Sequence, residues 1–192
     1  MLRRRRMVRH YADAPLAPEV VERVLDAALR APSAGFSQGW AFLALTEPSD
    51  RARFWPFVPT RATQTPTMQD APLVVVPLAH RAAYVDRYAQ PDKGMPGRSW
   101  PVPWWYVDTA MASLCMLLTA VDEGLGACFF GIQEEHRAGF AAEFGVPEAY
   151  EPLGGITVGH RPPDLAPQDP ALDAERRKRK AEVVHRGQFG RH

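Results

Sequence analysis

A chain of 192 residues, 46% apolar and 10% aromatic, can bury one sizeable core and sits at the upper end of a single domain's usual length. Its 23 basic and 22 acidic side chains nearly cancel, so no global field drives it onto nucleic acid or an anionic membrane. Cys115 and Cys128 have neither CxxC spacing nor a companion histidine pair. That argues against a zinc site or a disulfide framework and fits buried thiols in a reducing cytoplasm.

The chain opens on Arg3, Arg4, Arg5, Arg6 and Arg9 with no apolar core of signal-peptide length behind them, so secretion is not expected. Across residues 17–30, Val20, Val21, Val24, Leu25 and Ala28 recur at helical spacing, and Pro18 stands where a first turn tolerates it. Ala31-Pro32-Ser33-Ala34-Gly35 stops that helix, and residues 40–45 read as a buried strand closed by Glu47-Pro48. A second helix is expected from about Ser49 to before Pro56. After a polar linker, residues 71–78 are β-branched enough for a central strand, which Pro72 and Pro77 are expected to hold to a few residues.

Residues 90–105 combine five prolines or glycines before Pro103 with Trp100, Trp104 and Trp105, which predicts a loop, or lid, with an aromatic surface. Residues 107–123 are apolar nearly all round and predict a buried helix at a core or subunit interface. Its apolar run, 107–121, carries Asp108 and falls short of the ~20 residues of a membrane span. Gly124-Leu125-Gly126 ends it. A short strand follows at 127–131, then a helix at 134–144 and a strand at 154–159. A proline-rich extension from about 161 leads to the basic block Arg176-Arg177-Lys178-Arg179-Lys180. There is no internal repeat. Interleaved helices and strands predict one domain over 1–192, an α/β or α+β sandwich whose strand order stays open.

Three motifs can carry chemistry. Several guanidinium forks suit a phosphate dianion, so the Arg3 to Arg9 cluster is a candidate phosphate site as well as a solvated basic arm. The small-residue turn 31–40 leaves room for a flat ligand and aims backbone amides at it, although a plain tight connection has the same composition. The closing basic block shares the phosphate only if the fold brings the two ends together. No Walker loop, GxGxxG, HExxH or GxSxG is present, and the six histidines have no ligand spacing, so no metal and no side-chain catalyst is expected.

Taken together, these residues resemble the nitroreductase family of FMN enzymes, from about Arg4 to about Arg186. The resemblance is carried by Arg5-Arg6-Met7-Val8-Arg9 followed by Tyr11 and Pro15, by Ala31-Pro32-Ser33 with Gln38-Gly39-Trp40, and by Asp108 with Ala112. Gly124-Leu125-Gly126, Phe130-Gly131, the strand ending Val158-Gly159 and the basic tail complete the order.

The resemblance implies an α+β, three-layer α/β/α fold with a mixed sheet and an intertwined homodimer holding FMN between subunits. It implies that Arg5, Arg6, Met7, Arg9, Arg177 and Arg179 surround the phosphate. Pro32, Ser33, Ala34 and Gly35 would meet the isoalloxazine from the partner subunit, Gln64 and Thr67 its pyrimidine ring, and Phe130 with the Gly131 amide its hydride-accepting nitrogen. Phe36, Trp100, Trp104 and Trp105 would face the substrate. Met7, Phe36, Gly39 and Phe130 depart from the family's common serine, asparagine, proline and acidic residue.

The expected activity is ping-pong hydride transfer from NAD(P)H to a nitroaromatic or quinone acceptor, with the flavin doing the chemistry. Alternatives are flavin fragmentation by oxygen, reductive dehalogenation, or a non-catalytic flavin-binding protein. The expected partners are a second copy of the chain and a small molecule, with neither nucleic acid nor membrane.

Overall fold

The computed structural model describes residues 2–65, 67–164 and 177–192. They fall into two compact units, Met1–Pro162 and Pro163–His192.

The first unit is organised by β2 (Leu73–His80), whose side chains alternate between two apolar layers. Val74, Val76 and Leu78 join Phe54, Trp55 and Phe140 on one face. Leu73 and Val75 join Val24, Ala112 and Met116 on the other. This is the period-two geometry of a strand buried on both sides. Helices α1 (Pro18–Ala28) and α5 (Trp104–Asp122) cover one face; α2 (Pro48–Phe54) and α6 (Glu134–Phe144) cover the other. The result is the expected three-layer α/β/α arrangement.

The remaining strands are β1 (Trp40–Leu45), β3 (Gly126–Phe130), β4 (Tyr150–Pro152) and β5 (Gly155–Gly159). They line up as β1-β2-β5-β3, with β4 also on β2, and every ladder is antiparallel. A parallel bridge between Met7 and Ala127 extends the sheet past β3 and makes that edge mixed.

Pro77 does not shorten β2, contrary to expectation. Its carbonyl accepts from the Leu153 amide, so its missing N–H points to the same side, away from β1. On that side β2 pairs β5 at Leu73 to Val75 and β4 at Leu78 to His80, so the proline falls in the gap between ladders.

Two helices between the strands have little sequence signal. In α3 (Thr60–Gln64) there are five residues, and α4 (Arg81–Ala89) buries only Tyr84 of its nine. The loop expected over 90–105 ends at Pro103, which serves as the N-cap of α5. Proline is tolerated at a helix start, so Trp104 and Trp105 belong to the first turn of α5. At 19 residues α5 reaches the length and composition of a membrane span, yet half of it is buried inside the fold. In the second unit the described helix is α7 (Lys180–Val183).

Candidate functional site

The N-terminal arm is fastened along the β3 edge. Val8 N donates to Ala127 O at 2.9 Å, and Ala12 N donates to His160 O at 2.9 Å. A Cβ on Gly126 would lie 2.7 Å from the Val8 side chain, so the arm approaches this closely only because residue 126 is glycine. Tyr11 is the anchor: it is 1% exposed and its hydroxyl donates to Val8 O at 2.6 Å. Burial pushes its phenol far above the ordinary value.

This fastening brings several expected residues to one place. Arg5, Arg6, Met7 and Arg9 lie half-buried beside β3. Tyr11 N donates to Thr67 O at 3.3 Å, which sets the left-handed Thr67 next to the arm, while Gln64 is exposed at the end of α3. At the end of β3 the Phe130 ring stacks on Trp55, 6.5 Å between centroids. The Cβ position of Gly131 meets nothing within 4 Å. The strand thus ends at an open space.

The arm carries an unmet donor. Arg5 Nη1 is buried with no hydrogen-bond partner, a condition that costs about 1–3 kcal/mol or more until an acceptor arrives. Arg6 is partly spent on the backbone, its Nη1 donating to Arg3 O and Arg5 O at 2.9 Å each. The Arg9 charge opposes the burial that raises the Cys128 thiol. A phosphate oxygen is the acceptor that suits such a cluster.

The second group stands across the sheet. The turn holding Pro32, Ser33, Ala34, Gly35 and Phe36 leads into β1, the opposite edge from β3. Three strand spacings, about 14 Å, separate these edges within one chain. The turn is strained: Gly35, Phe36 and Gln38 have φ of 63°, 56° and 48°, a conformation that costs non-glycine residues roughly 1–2 kcal/mol each. Phe36 is 75% exposed.

Of the three tryptophans, Trp105 is buried and packs with Trp100 at 6.3 Å and Tyr84 at 6.3 Å; Trp100 also meets Tyr88 edge-on at 4.9 Å. Trp104 faces outward on α5. Trp100 and Trp105 therefore form a packed aromatic cluster behind the turn.

Three residues near the turn had no role in the sequence reading: Tyr84, Arg87 and, beyond its place in the Asp108 to Ala112 pattern, Asp108. Asp108 is 2% exposed, and its Oδ2 accepts from Ala34 N at 2.7 Å and from the Tyr84 hydroxyl at 2.8 Å. Arg87 Nε donates to Gly35 O at 3.0 Å. A lone acid in an apolar run was the one visible signal; Tyr84 and Arg87 had none.

In the second unit, Arg179 Nε pairs with Glu182 at 2.8 Å, and Arg177 is exposed. Among the described residues no group of three or more metal-ligating side chains occurs.

With this geometry in hand, the nitroreductase family model matches residues 2–160. The chain belongs to the nitroreductase family. Similar proteins include one from Methanothermobacter thermautotrophicus assigned as an NADH dehydrogenase/NAD(P)H nitroreductase, 26% identical over 161 residues, or 83% of this chain and 74% of that protein. A counterpart of the same assignment in Archaeoglobus fulgidus is 25% identical over 83% of each chain. A solved nitroreductase family protein from Clostridium difficile superposes with TM-score 0.75 at 21% identity, covering 98% of this chain and 96% of that one. An FMN-dependent nitroreductase from the same species gives 0.73 at 20% identity, covering 98% of each. These two structures show the shared fold. The nitroreductase match ends close to where the first compact unit does.

Proposed function

We propose that this nitroreductase is an FMN-dependent oxidoreductase that passes hydride from NAD(P)H to a small organic acceptor, a nitroaromatic or quinone, in a ping-pong cycle. The observation that carries the reading is the buried, unpartnered Arg5 Nη1 on an arm clamped beside β3. The residues present fit the cofactor. Arg5, Arg6 and Arg9 supply guanidinium donors for a phosphate, and the open space at Gly131 leaves room for a ring system.

FMN, when bound, supplies reversible hydride acceptance. The chain's own residues bind and orient it. Arg5 and Arg9 would hold the phosphate, Thr67 and Gln64 would contact the pyrimidine ring, and the Gly131 amide would donate to the hydride-accepting nitrogen. Phe130 keeps its ring in the core through Trp55 and leaves its backbone to the site. No acid or base side chain is required of the protein.

The site is completed by a second copy. Within one chain the arm and the strained turn stand at opposite sheet edges. A helical stripe of Trp104, Met111 and Leu114 is exposed on α5, with the half-buried Val107 and Leu118 in the same row. Pairing of two such stripes buries them and sets one chain's turn against the other's arm, with Phe36 facing the acceptor. Both cysteines are free, in keeping with a cytoplasmic enzyme.

The test is spectroscopic. Purified protein is expected to be yellow with oxidised-flavin bands, to bleach when mixed anaerobically with NADPH or NADH, and to recover on addition of a quinone. A colourless protein that takes up no added FMN overturns the reading; bleaching after which air consumes the flavin into a new product and does not restore its colour favours fragmentation.

A further inference from the structure

We propose that Asp108 and Tyr84 are positioning residues that hold the turn 33–39 in its ligand-facing shape and thereby set both the affinity and the reduction potential of the flavin. The inference rests on the reading of that turn as a cofactor contact.

The turn is left-handed at Gly35, Phe36 and Gln38. Two of these are non-glycine, so the chain does not choose this path by itself, and something must over-determine it. The internal bonds are local: Ser37 Oγ donates to Ala34 O at 2.7 Å, and Gln38 N donates to Ser33 Oγ at 3.0 Å. They close the turn but do not fix it to the body of the protein.

Asp108 does. One oxygen of its side chain takes both the Ala34 amide and the Tyr84 hydroxyl. Tyr84 in turn packs its ring against the far end of the turn at Gly39. A Cβ at position 39 would lie 2.3 Å from the Tyr84 ring, so the tyrosine occupies the room a larger residue would need. The clamp therefore grips both ends, Ala34 through Asp108 and Gly39 through Tyr84. Burial, reinforced by Asp108, keeps the phenol protonated and hence a donor. Arg87, held by Asp92 at 2.7 Å, adds a third fastening through Gly35 O.

Amides whose direction is fixed before a ligand arrives bind it without a reorganisation cost and hold it at one electrostatic setting. Loosening the clamp loses both properties through the turn, with the arginines of the arm left in place.

The experiment compares Tyr84→Phe, Asp108→Asn and Asp108→Ala with Arg9→Ala in the full-length holoprotein, reading FMN dissociation, the flavin reduction potential and visible circular dichroism. Removing one buried hydrogen bond predicts roughly tenfold weaker FMN binding for Tyr84→Phe, with a displaced potential and an altered dichroic band. Asp108→Asn retains an acceptor oxygen and is expected to recover most of the loss in Asp108→Ala. Arg9→Ala is expected to weaken FMN without moving the dichroic band. If Tyr84→Phe keeps wild-type affinity, potential and dichroism while Arg9→Ala loses FMN, the clamp is overturned and the cofactor reading stands. If the wild-type protein takes no FMN, both fall together.

Discussion

The Tyr11 and Thr157 hydroxyls lie 2.8 Å apart in the interior, 146 positions apart in sequence. Through this contact the N-terminal arm is tied to β5, and with it the arginines it carries. Tyr11→Phe leaves Val8 O without its side-chain donor and Thr157 Oγ1 without this partner. The variant is expected to lose about 1–3 kcal/mol of stability in urea unfolding, and to release FMN more readily because Arg9 is no longer held.

Buried tyrosines also predict the response to alkali. Tyr11 and Tyr84 both have phenols raised above the ordinary 10.0. The folded state thus holds these protons more tightly than the unfolded chain does. Their stabilisation is whole below pH 10 and drains away as pH climbs beyond it, by about 1.4 kcal/mol per pH unit for each tyrosine. Unfolding free energies measured from pH 9 upward should fall with this slope, and Tyr11→Phe should remove one tyrosine's share of it.

Arg5→Met tests cofactor binding apart from stability. Its buried Nη1 has no acceptor in the protein, so Arg5→Met removes an unpaired donor and keeps much of the apolar stem. FMN affinity is expected to drop by 1.5–3 kcal/mol, about 10- to 150-fold, for loss of a charge-assisted bond. The melting temperature of the FMN-free protein should stay level or rise. Unchanged FMN retention would remove Arg5 from the phosphate site.

The exposed stripe on α5 makes the oligomeric state testable. Leu114 is 45% exposed and Met111 40%. Leu114→Asp places a charge where the proposed dimer is driest, and is expected to weaken association on the order of 100-fold. Sedimentation should report monomers carrying little FMN, with the far-ultraviolet spectrum of the parent.

Phe36 combines strain with exposure. Replacing it by glycine relieves a left-handed φ and is expected to raise stability by about 1 kcal/mol in thermal melts. With the phenyl ring gone, the KM for a flat acceptor should rise while FMN binding holds. A KM that does not move would place Phe36 outside the acceptor pocket.

Local rules carried much of the architecture. The spacing of Val20, Val21, Val24 and Ala28 marks α1, the run from Trp40 to Leu45 marks β1, and Gly124 and Gly126 close α5 and open β3, because period and turn chemistry act over a few residues. The arm, the turn and the Phe130-Gly131 pair were likewise visible as types of residue in an order. Their arrangement was not. Pro77 survives inside β2 because the ladder beside it is interrupted, and α4 is anchored on the rest of the fold by the burial of Tyr84, facts no local pattern contains. Asp108 gains its part from Ala34 and Tyr84, each dozens of residues away in sequence. Composition and periodicity are short-range properties of the chain, whereas partners for buried polar groups are assigned only when distant segments pack together.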